Sequence, residues 1–313
     1  MFQFIENQAL ASGRRGRMFR KLMFWILHVY DPVVHYTLNN KRIALNLSHQ
    51  LPFTRKEYPT YSENLSRVSD FIRSHSGALK MIDIGANIGD SYALAGSRRG
   101  DSFLLIEGSP EYANLLSLNT RDDPAVTRVQ ALLTDSSFRG TGKLILEDGT
   151  ARVGGAAATG TVQYQTLDEL ITQYPNFASV NLLKSDVDGY DSRVLVGAEH
   201  LIRAAAPVLF FEHHPHLLAL AGDNDTYIFP LLKKWGYSRL IFYDIKGFLF
   251  GLVDADDTAR INDLVFYARS KGVLCYDVCC FPDSLAEARD RFLGSEKQFY
   301  DRLIADRLKA IAA

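Results

Sequence analysis

Acidic side chains that could carry chemistry close two short apolar runs of this chain. The segment "KSDVDGYD" holds Lys184 and Asp186, and "FFEHHPH" holds Glu212 and His213. Carboxylates and imidazoles accept protons near neutral pH when their surroundings tune them. The sequence therefore predicts a catalytic group made of Asp186, Lys184, Glu212 and His213. Within it Asp186 is the first candidate for general base, and Lys184 would anchor the substrate or keep Asp186 ionised.

A glycine pair follows another apolar run, in "MIDIGANIGD". Gly85 would let the chain turn sharply and let a ligand approach the backbone, and Gly89 would let a helix start close to the strand. The dinucleotide fingerprint needs a middle glycine where Asn87 stands. Asp83, two residues before the first glycine, would repel a pyrophosphate. This acid suits a cationic amino-acid moiety, such as that of S-adenosylmethionine.

Polar residues also lie at the ends of the next two apolar runs. Glu107 is placed to accept both hydroxyls of a ribose, and Asp135 in "LLTDSS" could meet an adenine edge. The alternative is that Asp83 and Glu107 only cap helices, but the combined pattern favours a nucleoside. The predicted cofactor-binding residues are Asp83, Gly85, Ala86, Asn87, Gly89, Glu107, Ser109, Thr134, Asp135 and Tyr61.

The elements that must position these residues alternate along the chain. The predicted strands are Lys80–Ile84, Ser102–Glu107, Val126–Leu133, Asn181–Asp186, Val208–Glu212, Arg239–Phe242 and Asp263–Tyr267. The predicted helices between the first five strands are Asp90–Ser97, Pro110–Asn119, Leu167–Gln173 and Ser192–Ala204. Alternation of this kind predicts an α/β fold, with a parallel sheet covered on both faces. The last two strands lack a helix between them and would form an antiparallel pair at one edge.

Four segments resemble a known family: "IDIGANIGD", "IEGSPEYANLLSLN", "TLDEL" and "LLKSDVDGYDSRVLVGAEHLI". They look like the FkbM family of S-adenosylmethionine-dependent methyltransferases, over about Tyr58–Arg269. The resemblance implies the class I methyltransferase (Rossmann-like) fold, a mixed seven-stranded sheet with helices on both faces. It also implies O-methylation of a sugar, glycan or secondary-metabolite hydroxyl, as in polysaccharide biosynthesis. Gly108 stands where the family often has a proline after the acid of the second strand. In "YPTYSENL", which resembles an entry segment of part of the family, Ser62 stands where aspartate is usual, which leaves Tyr61 as a candidate ligand contact.

The chain divides into three predicted parts: a basic and aromatic extension and substrate cap (1–76), an S-adenosylmethionine-binding methyltransferase domain (77–270) and a C-terminal helical tail (271–313). The Gly-, Ala- and Thr-rich segment Glu147–Gly160 predicts a mobile loop that closes over the acceptor. In the extension, one helical stripe follows a basic run and consists of Phe19, Leu22, Met23, Ile26 and Tyr30. The stripe fits a helix packed on the core or on a dimer partner. It also fits a peripheral helix at the inner membrane face that meets a lipid-linked glycan.

Composition and net charge limit the classes of partner that the sequence favours. The chain has 313 residues, 47% of them apolar, and a net charge of −1, so no global charge favours nucleic acid. The three cysteines Cys275, Cys279 and Cys280 predict reduced thiols in a cytoplasmic protein, without metal-ligand spacing. We predict no metal site, no membrane-spanning helix and no signal peptide. The oligomeric state stays open.

Two other classes of protein share part of this pattern. An NAD(P)-dependent oxidoreductase would have the same sheet and the acid on the second strand, but the middle glycine is missing and no hydride-relay constellation stands out. A non-catalytic module that binds S-adenosylmethionine would share the fold. The Lys184/Asp186 and Glu212/His213 sets argue against that alternative.

Overall fold

A computed structural model describes residues 2–137, 141–147, 150–154, 162–220, 223–272 and 275–312. The strands are β1 (Val33–Leu38), β2 (Lys41–Asn46), β3 (Lys80–Ile84), β4 (Ser102–Glu107), β5 (Val126–Gln130), β6 (Leu132–Leu133), β7 (Thr141–Glu147), β8 (Thr150–Gly154), β9 (Val162–Gln165), β10 (Leu182–Ser185), β11 (Val208–His213), β12 (Arg239–Asp244), β13 (Leu249–Asp254) and β14 (Tyr276–Cys280). The helices are α1 (Phe2–Ala9), α2 (Gly13–Leu27), α3 (Leu51–Glu57), α4 (Glu63–Ser76), α5 (Asp90–Ala95), α6 (Pro110–Thr120), α7 (Leu167–Ile171), α8 (Asp191–Val196), α9 (Glu199–Ala205), α10 (Pro215–Leu220), α11 (Ile228–Lys234), α12 (Thr258–Lys271) and α13 (Ala286–Ala312).

The central sheet has eight strands in the order β5-β4-β3-β10-β11-β14-β12-β13. The first five are parallel, while β14 lies antiparallel between β11 and β12, and β13 is antiparallel at the edge. From β3 the chain builds outward through β4 and β5, then returns to the other side of β3 with β10. The strand order therefore reverses between β3 and β10, where the carboxyl ends of the strands leave a crevice.

Near-continuous apolar runs form the central strands because helices cover both faces of the sheet. On β3, Met81 and Ile82 are both fully buried but belong to different hydrophobic clusters. The Ile82 cluster includes Phe229 of α11, and the Met81 cluster includes Val68 of α4. This arrangement confirms the α/β fold, with eight strands in the sheet rather than seven.

The end of the sheet differs from the sequence prediction. Asp263–Tyr267 is not a strand but part of α12, because Ile261, Leu264 and Ala268 bury one helical face and the Asp257 side chain accepts from the Arg260 backbone N–H at the start of the helix. The segment between the predicted strands Arg239–Phe242 and Asp263–Tyr267, which we expected to be a loop, contains β13. The seventh strand is instead β14, so the segment 271–313 is not only a helical tail.

Three other predicted elements are divided. Val126–Leu133 separates into β5 and β6, and β6 pairs with β9 in a small sheet of order β6-β9-β7-β8. Ser192–Ala204 separates into α8 and α9 at Gly197, where a Cβ would lie 2.1 Å from the Thr134 carbonyl oxygen. Within the predicted loop Glu147–Gly160, Thr150–Gly154 is a strand that pairs with β7; residues 148–149 and 155–160 lie outside the described residues.

The chain before β3 forms a layer that covers part of the crevice. The hairpin β1–β2 packs with α5 and α6, and the apolar side chains Met23, Ile26 and Leu27 of α2 contact the same cluster. In the described part of the chain, no helix has both the length and the apolar character needed to cross a bilayer.

Candidate active site

A cavity of about 360 Å³ opens at the carboxyl ends of β3 and β10, where the strand order reverses. Six of its lining side chains are carboxyls: Asp90, Glu107, Asp186, Asp188, Glu212 and Asp277. No lysine or arginine lines it among the described residues. The field in the cavity therefore favours a positively charged ligand and disfavours phosphate groups.

One buried cation lies beneath the cavity floor. Lys184 on β10 is the register partner of Asp83 on β3, and its Nζ lies 2.9 Å from Asp83 Oδ1 and 3.6 Å from Asp186 Oδ2. Burial alone would lower the pKa of Lys184, but the carboxylates of Asp83 and Asp186 outweigh it and raise that pKa. Lys184 is therefore charged, and it holds Asp186 beside a positive charge.

Asp83 does not have the predicted position beside the ligand. Its side chain is fully buried, pairs with Lys184 and is not among the residues that line the cavity. Asp90, at the first position of α5, lines the cavity instead. Burial raises the pKa of Asp90, and the Lys184 ammonium opposes that shift. Asp90 is therefore the acid of this motif that a cationic ligand can reach.

Glu107 closes β4 and lines the cavity. The backbone N–H of Asn87 donates to its Oε2 at 2.8 Å, and that of Ser109 donates to Oε1 at 2.7 Å. Burial raises its pKa to about 7, while the two amides lower it. The carboxyl group is thus held in one orientation, with further lone pairs that can accept hydroxyl donors.

The glycine segment joins β3 to α5 in a tight turn. Gly85 has φ +73° and lies so close to the end of β10 that a Cβ would be 1.9 Å from the Asp186 carbonyl oxygen. Asn87, with φ +47°, lines the cavity beside Gly85. Ala86 is buried in the core, and Gly89 precedes α5 against Leu116. Gly85 and Asn87 therefore face the cavity, whereas Ala86 and Gly89 shape the turn.

The two predicted catalytic residues of β11, Glu212 and His213, point to opposite faces of the sheet. Glu212 lines the cavity, whereas the His213 ring is fully buried on the other face, 4.9 Å from the Phe229 ring. Burial lowers the pKa of His213 to about 3. His213 therefore does not reach the rim, because successive side chains of a strand point to opposite faces.

Glu212 lies in a carboxyl-rich corner. Its cross-strand partner is Asp277 on β14, which also lines the cavity, as does Cys275. Burial and the neighbouring Asp186 raise the pKa of Glu212 well above its ordinary value. Burial also raises the pKa of Asp277 to about 7, although the Asn64 amide, which donates to it at 2.8 Å, opposes this. Burial and the nearby Asp186 carboxylate therefore favour the protonated form of Glu212.

The remaining predicted cofactor residues have different surroundings. Tyr61 lines the cavity, where burial and Asp186 raise its pKa. Ser109 is the N-cap of α6 and orients Glu107, and Thr134 is buried behind the wall formed by Ala131–Leu133. Asp135 is not a lining residue, because it accepts from the Ser137 N–H and pairs with Arg193 at 3.4 Å.

Asp90, His49 and Asp277 are among the lining residues that the sequence prediction missed. Asp90 directly follows the second glycine, so the motif itself contained the signal. His49 is buried, its Nδ1 accepts from the Leu51 N–H at 3.2 Å, and burial lowers its pKa to about 4. Neither His49 nor Asp277 lies in a local pattern, because each reaches the cavity through long-range packing.

S-adenosylmethionine fits this donor set. The carboxyls of Asp90 and Asp186 suit its positively charged groups, Glu107 suits ribose hydroxyls, and Ala131–Leu133 provide an apolar wall. Among the described residues, no group of three or more His, Cys, Asp or Glu side chains could hold a metal ion.

The sheet order and the site at its switch point define a class I S-adenosylmethionine-dependent methyltransferase fold. Residues 83–239, half of the chain, match the methyltransferase FkbM domain, and the chain belongs to this family. S-adenosyl-L-methionine is accordingly its cofactor. No curated protein matches the chain in sequence.

Several solved structures are similar to this chain at low identity. Methyltransferase FkbM from Methylobacillus flagellatus KT is 19% identical over 44% of this chain and 33% of that chain, with a TM-score of 0.30. Precorrin-6y C5,15-methyltransferase from Geobacter metallireducens GS-15 is 14% identical over 66% and 80%, with a TM-score of 0.35. Geranyl diphosphate C-methyltransferase from Streptomyces coelicolor A3(2) is 11% identical over 69% and 78%, with a TM-score of 0.37.

Proposed function

We propose that the protein is an S-adenosylmethionine-dependent O-methyltransferase. The observation that carries the proposal is the cavity at the switch point, lined by six carboxyls and by no lysine or arginine among the described residues. A nicotinamide dinucleotide would bring a pyrophosphate into this field, so the oxidoreductase alternative is disfavoured.

The chain's own residues support a base-assisted transfer. When bound, the cofactor supplies an electrophilic methyl group. Asp186 lies at the end of β10, with its side chain half-exposed to the cavity, and accepts the proton of the acceptor hydroxyl as the new bond to oxygen forms. The Lys184 Nζ, 3.6 Å from Asp186 Oδ2, places a positive charge beside this carboxyl group.

In this proposal Asp186 is the base and Glu212 is the protonated acid. Two neighbouring carboxyls seldom ionise together, and only Asp186 has a cation beside it. Glu212 therefore keeps its proton and donates a hydrogen bond that orients the acceptor. His213 no longer enters this scheme, since its ring lies in the core.

The acceptor in this proposal is a sugar, glycan or secondary-metabolite hydroxyl, as in polysaccharide biosynthesis. Polyols suit the carboxyl-rich corner of Glu212 and Asp277, because carboxylates accept and carboxylic acids donate hydrogen bonds. We place the activity in the cytoplasm, at a membrane face where a lipid-linked glycan would be presented. The cysteines, which are buried and unpaired, support a reducing compartment.

Ligand binding and turnover test the proposal separately. S-adenosylmethionine should raise the melting temperature of the protein, with about 2.7 kcal/mol of stabilisation at 100 times Kd, whereas NAD(P) should not. Labelled cofactor and an extract of the source cell should then yield a labelled, base-stable ether. A shift with NAD(P) alone would favour the oxidoreductase, and cofactor binding without any labelled product would favour a binding module.

Asp186→Asn tests the base. We expect unchanged cofactor affinity and methyl transfer that is slower by ~10²–10⁴-fold, the range for losing a general base. Asp188→Asn, which alters a neighbouring lining carboxyl, is the matched control. Turnover of Asp186→Asn near that of the wild type would assign the base to another residue.

A further inference from the structure

The helix α2 has a second apolar face that the fold leaves uncovered. Its inner face, with Met23 and Ile26, packs on the layer that holds β1 and β2. The outer face carries Met18, Leu22 and Trp25 at positions i, i+4 and i+7, which are 61%, 42% and 71% exposed. Exposed large apolar side chains that follow one helical stripe indicate an interaction surface.

The last turn of α2 and the residues after it extend this surface. Phe24 is 60% exposed, and Val29 and Tyr30, just after the helix, are 89% and 61% exposed. Helix α2 packs tightly against the end of α1 and the connection that follows it. Arg20 donates to the Ala9 carbonyl at 2.7 Å, and a Cβ on Gly16 would lie 1.7 Å from the Ala11 carbonyl oxygen. The exposed stripe therefore lies on a positioned element.

The charged side chains of α2 are all positive. Arg14, Arg15, Arg17 and Lys21 are exposed, and none of them forms an ion pair within the described residues. The sequence has no acid between Glu6 and Asp31, although the whole chain has a net charge of −1. The cationic field is thus local to α2.

We propose that α2 docks on an anionic lipid surface, with Met18, Leu22 and Trp25 in the acyl–headgroup boundary and the basic side chains against the headgroups. A basic helix with an apolar stripe is the pattern of an interfacial helix. A second copy of the chain would bring two cationic faces together, which repel each other. The aliphatic side chains Met18 and Leu22 gain burial in lipid, whereas nucleic acid offers them no stacking partner.

This inference does not depend on which group is methylated. The surface belongs to the layer whose continuation, Leu51 and Thr54 in α3, lines one wall of the cavity. Docking through α2 would hold the enzyme at the interface from which a lipid-linked acceptor is drawn.

Vesicle binding of the full-length protein tests the proposal. The wild type should co-sediment with phosphatidylcholine vesicles that contain 30% phosphatidylglycerol, and far less with pure phosphatidylcholine. The triple variant Arg14→Glu, Lys21→Glu, Arg17→Glu should partition at least about 100-fold more weakly, because each basic residue near an anionic surface contributes to binding. The matched control is Arg291→Glu, Lys297→Glu, Arg302→Glu on exposed positions of α13, which should bind as the wild type does.

The apolar stripe is tested by fluorescence and by its own variant. The chain has two tryptophans, and Trp235 is 9% exposed, so a blue shift on vesicle addition should come from Trp25 and disappear in Trp25→Phe. The double variant Met18→Ser, Leu22→Ser should lose partition, whereas Phe266→Ser, which removes an aromatic side chain 74% exposed on α12, should not.

Retained thermal stabilisation by S-adenosylmethionine would show that each variant is folded. The proposal is overturned if the wild type does not bind anionic vesicles, if it binds neutral vesicles equally, or if the α2 variants bind like the wild type. A dimer in light scattering that Met18→Ser, Leu22→Ser dissociates, or tighter binding to single-stranded RNA than to vesicles, would likewise assign the surface to another partner.

Discussion

Glu107 shows how backbone amides prepare a carboxyl group for a ligand. Two N–H groups hold its oxygens, and its pKa is raised to about 7 because burial outweighs those donors. A ligand that donates hydroxyl hydrogens favours the ionised form. We therefore expect Glu107 to couple cofactor binding to the loss of a proton near neutral pH.

Replacing this carboxyl by an amide should weaken cofactor binding. Glu107→Gln places an N–H₂ donor against backbone donors, and we expect a loss of about 1–3 kcal/mol in the affinity for S-adenosylmethionine, measured by calorimetry. Glu111→Gln, the same change at an exposed position on α6, should leave the affinity unaltered. Equal affinities in two folded variants would contradict the role of Glu107.

Asp277 should make the free protein less stable as pH rises. Its pKa is raised to about 7 by burial, so the folded state keeps a proton that the unfolded chain releases near pH 4. The folded state then binds more protons between these values, and the free energy of unfolding falls with increasing pH across that window.

The Asp277→Asn variant has no such proton. Its stability should depend on pH less steeply between pH 4.5 and 7, by up to about 1.4 kcal/mol per pH unit, in urea unfolding at several pH values. Asp122→Asn, whose side chain is 91% exposed, should keep the slope of the wild type. Parallel slopes for all three proteins would refute this assignment.

At the scale of elements, the β3–α5 turn and the end of β10 form one unit. The turn needs positive φ at Gly85, and the β10 end lies against its Cα. The same contact sets Asp186 over Lys184. The position of the candidate base therefore depends on a glycine in the neighbouring strand connection.

Alanine variants of two glycines separate the cost of a positive φ from the cost of a steric contact at Cβ. Gly77 and Gly85 have φ of +80° and +73°, but a Cβ meets nothing within 4 Å at Gly77 and the Asp186 carbonyl oxygen at 1.9 Å at Gly85. Gly77→Ala should cost roughly 1–2 kcal/mol for left-handed backbone. Gly85→Ala should cost about 1–3 kcal/mol more, the range for overpacking, and should lose cofactor affinity. Similar unfolding free energies for the two variants would show that the contact relaxes freely.

On the scale of the whole molecule, the C-terminal helix α13 is joined to α4, although the two helices lie far apart in sequence. Arg67 on α4 donates to both carboxyl oxygens of Glu296 on α13, at 2.5 and 2.9 Å, and to the Tyr300 hydroxyl at 2.9 Å. The Glu296 side chain is 1% exposed. The long C-terminal helix is thus anchored to the helix that precedes the first strand of the central sheet.

Removal of one partner should destabilise the molecule. Glu296→Ala leaves the Arg67 guanidinium largely buried without its counter-charge, and we expect a loss of about 3–5 kcal/mol in the free energy of unfolding by urea. Glu287→Ala, exposed in the first turn of the same helix, should change it by less than about 0.5 kcal/mol. A small effect of Glu296→Ala would mean that α13 is held by its apolar contacts alone.

Local patterns in the sequence were sufficient for the parts of the fold that depend on neighbours along the chain. The apolar runs predicted β3, β4, β10 and β11, since these strands are buried by helices on both faces. Glycines at 85 and 89 predicted the turn to α5, because positive φ favours this residue type. The acid that ends β4 was likewise visible, since the carboxyl ends of parallel strands face the ligand.

Only the tertiary structure decided which side chains share the cavity. A strand buried on both faces has no polar alternation, so the sequence of β11 could not tell that Glu212 faces the cavity and His213 the core. Asp83 faces Lys184 because of the register between β3 and β10, which is set by packing across the sheet. Asp277 reaches the site because β14 inserts beside β11 from the far end of the chain. Each of these contacts joins residues distant in sequence, and periodicity along one segment carries no information about them.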